Sequence, residues 1–411
     1  MRHAGLTFLL LGAAACNPLA FNDLADETWV DSTDKPDDVN SDGYAAALAF
    51  GGSGGSGAGI VALATTPPYV VLLDYDGGGD VEKLHEELRQ GLSDAESLPA
   101  RPALATLPSE WGADGPSAFI GVTSGSESYL MPVQAQTLEF SGSLVRLVDA
   151  DSQAVSIAAG DVLDSGNGPD LVATTGDLVY LVANYTVDVN AVEARCTIEG
   201  GLSVAIDFEG ELLVGTPEGV RRLTAANVPE PPDPPSDSYP FPCTGGVIEA
   251  PDVIDGFGEV IATGDLDGDS LPDIAVAAPE SGIVLVSFGV TPSEWTQIDA
   301  PDGSDTFGAA LAVGDLDHDG TGELIVGDPG YDEEASDAGA VHVYHVPGDG
   351  TAELVTTLFD ADAEKNQAFG QSVAVADFDG DAAKQILAVG AKDEVFTYFQ
   401  VIPGDDQDVR H

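Results

Sequence analysis

Basic side chains are scarce in this chain of 411 residues. Lysine and arginine together number 13, against 71 aspartate and glutamate residues, and the formal net charge is −58. Such a charge repels phosphate backbones and anionic lipid headgroups, which excludes nucleic-acid binding and membrane docking through basic residues. With eight arginines and six histidines in total, an arginine-rich active site for an anionic substrate is poorly supplied.

Cysteines and long apolar stretches are scarce too. The three cysteines lack histidine neighbours and are too few for a structural zinc site. An apolar run near the N-terminus, residues 6–15, is too short to span a bilayer as a helix, and no other stretch is long and apolar enough. The sequence therefore predicts no transmembrane helix.

The chain does contain enough apolar material for a large core. Hydrophobic residues make up 43% of the sequence, which excludes an acidic disordered tail. Its 49 glycines and 26 prolines favour many turns between short strands over long helices. The excess of carboxylates has two interpretations, divalent-cation sites or an acidic surface adapted to salt, and composition does not separate them.

The N-terminal residues are typical of export. A short positive start precedes the apolar run, as in a signal peptide. The run ends in Ala13-Ala14-Ala15-Cys16, which resembles the lipobox of bacterial lipoproteins. This resemblance implies a signal peptide over residues 1–15 and lipidation of Cys16, with the protein anchored at the outer membrane or cell surface. The alternative is an ordinary secretory signal, with a periplasmic or secreted product.

Two further features follow from export. Residues 16–43 are rich in aspartate and poor in apolar side chains, so we expect a flexible acidic tether there. If Cys16 carries lipid, Cys196 and Cys243 remain, and an even number of cysteines in an exported chain favours one disulfide. The alternative is two separate buried thiols.

An internal repeat is the most informative feature of the sequence. Three segments begin with Phe-Gly, reach an aspartate-rich loop eight residues after the phenylalanine, and continue into an apolar strand. They start at Phe257, Phe307 and Phe369. This pattern resembles the FG-GAP repeat of integrin alpha-subunit β-propellers, most clearly over residues 250–400.

Weaker copies extend the repeat upstream. Strand patterns around residues 59–63, 118–122, 160–173 and 210–217 bring the number of units to seven. The resemblance therefore implies an all-β fold, a β-propeller of seven blades over residues 44–411. In the copy at 210–217, Asp207 lies only four residues before Glu211, so the loop between them is too short for a cation. Residues 81–92 have apolar side chains at helical spacing and are predicted to form a helical insertion.

The loops of the clear repeats carry candidate cation ligands. In a tight loop, alternate carboxylates converge, and their hard oxygens suit Ca²⁺, with a backbone carbonyl completing the set. The alternative is that aspartate and glycine simply make turns. The predicted ligands are Asp265, Asp267, Asp269, Asp273 and the carbonyl of Leu271 in the first loop; Asp315, Asp317, Asp319, Glu323 and the carbonyl of Thr321 in the second; and Asp377, Asp379 and Asp381 in the third, where Gln385 replaces the closing acid.

The family resemblance implies ligand binding or adhesion rather than catalysis. We expect a monomeric, calcium-binding propeller that meets a protein or glycan ligand and touches the membrane only through its lipid. Two other classes stay open. One is a propeller hydrolase or lyase acting on an extracellular polymer, with carboxylates lining the central channel. The other is a structural envelope protein with a salt-adapted surface.

Overall fold

The structure is a computed structural model. It describes residues 19–20, 30–35, 43–51, 59–65, 68–75, 81–87, 98, 102–106, 118–124, 127–134, 139–140, 144–150, 156–160, 162, 170–183, 185, 189, 191–224, 227–228, 240–289, 294–317, 319–332, 335–360, 365–377 and 385–398. Strands are the main secondary structure among these residues, which is the outcome expected from a chain rich in turn residues and short β-branched runs.

The strands form seven sheets, here called blades one to seven in the order of their first full strand. Blade one contains β3 (Ala47–Gly51), β4 (Gly59–Thr65), β5 (Pro68–Tyr75) and β6 (Val81–Glu87). Blade two contains β7 (Leu104–Thr106), β8 (Ala118–Ser124), β9 (Glu127–Gln134) and β11 (Val145–Leu147), with β10 (Glu139–Phe140) and β14 (Ala191–Val192) at its edges. Blade three contains β12 (Ser156–Gly160), β13 (Asp170–Val182), β15 (Ala194–Gly201) and β19 (Phe241–Pro242).

The remaining four blades follow the same plan. Blade four contains β16 (Ser203–Ile206), β17 (Leu212–Thr216), β18 (Gly219–Leu223) and β20 (Gly246–Glu249). Blade five contains β21 (Val260–Gly264), β22 (Asp273–Ala278), β23 (Ile283–Ser287) and β24 (Thr296–Asp299), with a 3-10 helix at Pro279–Ser281. Blade six contains β25 (Ala310–Gly314), β26 (Glu323–Asp328), β27 (Ala340–His345) and β28 (Glu353–Phe359), and blade seven contains β29 (Ser372–Asp377), β30 (Gln385–Gly390) and β31 (Glu394–Tyr398).

The blades close into a ring. The first strand of each blade lies against the first strand of the next, and β29 of blade seven lies against β3 of blade one. Each hydrophobic core cluster lies between two neighbouring blades, the last of them joining Tyr44 and Ile60 to Ala388 and Val395. Second strands are therefore buried on both faces, as β22 and β26 are. The fold is a seven-bladed β-propeller, as predicted.

The Phe-Gly pairs have a packing role. Phe257, Phe307 and Phe369 are all fully buried. The glycine after each has a positive φ, between 84° and 88°. At Gly370 a Cβ would lie 2.3 Å from the carbonyl oxygen of Ala340 in the preceding blade. Only glycine combines that backbone conformation with such a close approach, so the pair locks each repeat against its predecessor.

The N-terminal segment contributes to the propeller instead of forming only a tether. Within residues 16–43, β2 (Val30–Asp34) pairs antiparallel with β31 and is the outer strand of blade seven. Upstream, β1 (Leu19–Ala20) pairs parallel with β28. The tether prediction is therefore wrong for these residues, because the unpaired backbone groups of β31 offer hydrogen bonds that local composition does not reveal.

The helix expected at residues 81–92 is also wrong over its described part. Val81–Glu87 is β6, which pairs antiparallel with β5 along its whole length. A short isolated helix is marginally stable in water, whereas the edge of β5 offers a full set of backbone partners.

No helix among the residues that the structure describes is long and apolar enough to cross a membrane.

Candidate metal centre

Two acidic loops lie at the same end of blades five and six. Residues 265–272 connect β21 to β22, and residues 315–322 connect β25 to β26. In both blades the first strand ends in a glycine that pairs with the acid opening the second strand: Gly264 with Asp273, and Gly314 with Glu323. Because the registers match, the two loops start and end at equivalent points.

The first loop brings three carboxylates together. Asp265, Asp267 and Asp269 each offer one oxygen, and these oxygens all lie within 4.8 Å of one another. Asp265 and Asp267 are half-buried and Asp269 is exposed. Three like charges at such distances repel one another, so the loop stores electrostatic energy that a cation would release. Burial and the neighbouring charges raise the pKa of the Asp267 carboxyl.

Backbone amides hold this loop in shape. The carboxylate of Asp265 accepts hydrogen bonds from the N–H groups of Gly268 (2.8 Å) and Ser270 (2.9 Å). Asp269 accepts one from the N–H of Leu271 at 2.8 Å. These bonds turn the chain so that alternate side chains point inward, which is the arrangement that the spacing predicts.

The fourth predicted ligand of the first loop lies behind the other three. Asp273 is fully buried and accepts hydrogen bonds from the N–H groups of Leu266 and Gly289, both at 2.8 Å. Burial raises the pKa of the Asp273 carboxyl to about 6, and the charges of Asp267 and Asp269 add to the shift. The two amide donors were not foreseen, because backbone groups leave no mark in a sequence motif.

The second loop repeats the arrangement with a longer closing side chain. Oxygens of Asp315, Asp317 and Glu323 lie within 4.8 Å of one another. Glu323 is 1% exposed and accepts a hydrogen bond from the N–H of Leu316 at 2.7 Å. Burial, followed by the charges of Asp317, Asp315 and Asp319, raises the pKa of Glu323 to about 8. The folded site therefore disfavours the ionised form of Glu323, and a cation nearby would favour it.

Asp319 has a different position within the second loop. It is exposed, and its carboxylate accepts hydrogen bonds from the N–H and the hydroxyl group of Thr321. These bonds lower the pKa of the Asp319 carboxyl. The structure thus groups Asp319 with Thr321, beside the three clustered acids. That Leu271 and Thr321 supply carbonyl ligands stays a prediction.

The two loops touch each other. The N–H of Gly322 donates a hydrogen bond to the carbonyl oxygen of Asp265 at 2.7 Å. A Cβ at position 322 would lie 2.7 Å from that same oxygen and 3.0 Å from Cγ1 of Val313. The residue preceding Glu323 in blade six is therefore joined directly to the first acid of the loop in blade five.

The other predicted site residues are placed as follows. Asp377 is the last residue of β29 and pairs with Gln385, while Asp379 and Asp381 lie outside the described residues. Cys196 and Cys243 form a disulfide with a Cα–Cα distance of 5.1 Å, which joins β15 to the residue after β19. Cys16 lies outside the described residues.

The donor set fits a hard cation. Within both clusters all side-chain donors are carboxylate oxygens, which suit Ca²⁺ or Mg²⁺ rather than a soft metal. A comparison with protein-family models matches residues 257–291 and 307–344 to the FG-GAP repeat. Blades five and six contain FG-GAP repeats. The two matched segments contain both acidic loops, from the buried phenylalanine through the closing acid. No curated protein matches the chain.

Proposed function

We propose that this protein is an exported, lipid-anchored FG-GAP propeller that binds calcium and serves as a ligand-binding or adhesion module. The observation that carries the proposal is the pair of acidic clusters, each with three carboxylates within 4.8 Å; the buried closing acid is one of the three in blade six, Glu323, and lies next to the cluster in blade five, Asp273. Ca²⁺ accepts six to eight oxygens at flexible geometry, so a loop of acids and carbonyls suits it better than it suits Mg²⁺.

The central channel favours a binding role over an enzymatic one. Its wall is made by the first strands of the blades: β3, β7, β12, β16, β21, β25 and β29. Among these strands, all within the described part of the chain, Asp377 at the end of β29 is the only Asp, Glu, His, Lys or Arg. A glycoside hydrolase needs two carboxylates flanking a bond, and these seven described strands offer no such pair.

Export is supported by the disulfide. Disulfides persist mainly in oxidising compartments, and the bridge between Cys196 and Cys243 agrees with the signal-peptide pattern at residues 1–15. FG-GAP repeats also occur mainly in extracellular or surface-associated proteins. A Cys16→Ser variant tests the anchor: it should lose the lipid detected by mass spectrometry and leave the membrane fraction.

The calcium proposal is tested by calorimetric titration of chelator-treated protein with CaCl₂ and, separately, MgCl₂. We expect two tight calcium sites, weaker uptake at the loop after Asp377, and weaker magnesium binding. If no calcium is taken up and NaCl alone restores the full melting temperature, the acids belong to a salt-adapted surface. A screen against glycans and envelope proteins, with and without calcium, then tests the binding role. Turnover of a polymer in the same samples would favour the enzymatic alternative.

A further inference from the structure

Blade four has the same fold as blades five and six but a much shorter loop. Between β16 and β17 the chain turns in a hairpin, in which the N–H of Asp207 donates to the carbonyl of Glu211 at 3.1 Å. Asp207 is buried, and its carboxylate accepts hydrogen bonds from the N–H groups of Glu209 (3.0 Å) and Glu211 (2.9 Å). Two acids, Asp207 and Glu211, therefore face each other across the hairpin.

One arginine reaches both acids. Arg222 on β18 places its Nε 2.7 Å from Oε2 of Glu211 and its Nη2 3.6 Å from Oδ2 of Asp207. The side chains of Arg222, Asp207 and Glu211 are 10%, 0% and 23% exposed. The guanidinium group thus lies between two carboxylates in a site largely shielded from water.

The register shows what this arginine replaces. Arg222 pairs with Leu213, two residues after Glu211. In blade five the equivalent pair is Ala275 with Val286, and in blade six it is Ile325 with Val343. The position is therefore valine in the two blades with long acidic loops, and arginine in the blade with the short one.

We infer that Arg222 is a built-in cation that replaces a bound metal ion in blade four, so that the acids of this hairpin are compensated within the chain. Its planar guanidinium presents several N–H groups in a fixed fork, which allows one side chain to serve two carboxylates. One side chain reaches both inward-facing acids of the short hairpin, Asp207 and Glu211, while the third acid, Glu209, is exposed; each long loop carries four acids. The contacts that carry this inference hold whether or not the loops of blades five and six bind calcium.

The matched test uses the neighbouring arginine. Successive residues of a strand point to opposite faces, so Arg221→Met removes the same charge from the same strand away from the hairpin. Arg222→Met should lower the melting temperature by about 4–6 °C, because it leaves a buried carboxylate unpaired, while Arg221→Met should change it little. Melting is measured in chelator, which makes the result independent of the calcium proposal.

A second substitution separates charge from packing. In the Arg222→Met background, Asp207→Asn should recover part of the lost melting temperature, although the same change should destabilise the wild type. Equal shifts for Arg221→Met and Arg222→Met, or additive effects of Asp207→Asn in both backgrounds, would overturn the inference.

One further variant tests the inference if Arg222→Met does not fold. Arg222→Met combined with Asp207→Asn and Glu211→Gln removes the cation and both carboxylates together. This triple variant should fold, because no buried charge remains unpaired. If it also fails to fold, the arginine is required for packing rather than for its charge, and the inference is wrong. The triple variant should bind calcium with the same stoichiometry as the wild type. An additional calcium site in Arg222→Met would support the replacement directly.

Discussion

Blades four and five are neighbours, and each brings carboxylates together between its first two strands, but with different surroundings. In blade four, two acids meet across a tight hairpin and share the guanidinium of Arg222. In blade five, a loop of eight residues groups three acids in front of the buried Asp273. Loop length is the difference between them: in the tight hairpin one arginine side chain reaches two carboxylates, whereas each long loop carries four acids. The comparison divides the propeller into a part whose acids lie beside an arginine and a part whose acids form clusters that could hold a metal ion.

The largest expected effect is the removal of calcium. A ligand present at about 100 times its Kd stabilises the folded state by about 2.7 kcal/mol per site, so two sites contribute about 5 kcal/mol. Chelation should therefore lower the melting temperature of the wild type markedly, and NaCl should restore only part of it, because salt screens repulsion without supplying ligands to the loops. Hydrogen exchange should increase in blades five and six before blade four; uniform exchange would contradict the division.

Single substitutions in the two kinds of loop should distinguish an effect on calcium stoichiometry from an effect on stability alone. Asp269→Ala removes one of the three clustered acids of blade five and should abolish one calcium site, with a loss of about 2–3 kcal/mol in calcium. Asp207→Ala in blade four should leave the stoichiometry unchanged and still lower the melting temperature, because Arg222 loses a partner. Calorimetric titration and melting of the same samples check both. A reduced stoichiometry in Asp207→Ala would place a metal in blade four.

The calcium-free protein should lose stability as the pH rises. The pKa of Glu323 in the folded state is about 8, above its ordinary value of 4.5, so the fold favours the protonated form. This contribution is fully present below about pH 4.5 and is lost as the pH rises through about 8, by about 2 kcal/mol after allowance for screening. In the presence of chelator, the melting temperature of Glu323→Gln should depend less on pH than that of the wild type. Calcium should likewise reduce the pH dependence of the wild-type melting temperature. If Glu323→Gln kept the same pH dependence as the wild type, Glu323 would not be its source.

The smallest expected effect concerns the contact between the two loops. In Gly322→Ala, the new methyl group would meet the carbonyl oxygen of Asp265, and the strain should cost about 1–2 kcal/mol. Because the contact joins Asp265 of the first loop to the residue between Thr321 and Glu323 of the second, calcium affinity should fall at both sites. Gly246→Ala on β20 is the matched control, since its Cβ has no atom within 4 Å. Normal affinity at the blade-five site in Gly322→Ala would show that the loops bind independently.

Features repeated locally were predictable from the sequence. The Phe-Gly pairs, the acidic spacing and the apolar strand after each loop follow within one blade, so the periodicity yielded the seven blades and the acids of the first two loops. The matched position of Asp273 and Glu323 at the start of a strand also follows from that spacing. Each of these features depends on residues close together along the chain.

Features that depend on distant pairing were not predictable. The closing strand β2 lies more than 350 residues from its partner β31, and its composition suggests a solvated segment. At Val81–Glu87 the choice between helix and strand was decided by the edge of β5 rather than by periodicity. Arg222 could have been suspected only as an arginine in an arginine-poor chain, since its alignment with the hairpin requires the register of β18 against β17.

The closing strand gives the molecule a defined response to force. A pull on the residues that precede Val30 is transmitted along β2, which runs antiparallel to β31 over five residue pairs. Backbone hydrogen bonds across such a pair are loaded together in shear, instead of opening one at a time. The load therefore passes into blade seven before it reaches blade one, and slippage of β2 would expose the edge of β31. In a protein held by its N-terminus, tension reaches the short pairing of β1 with β28 in blade six first and the edge of β31 next.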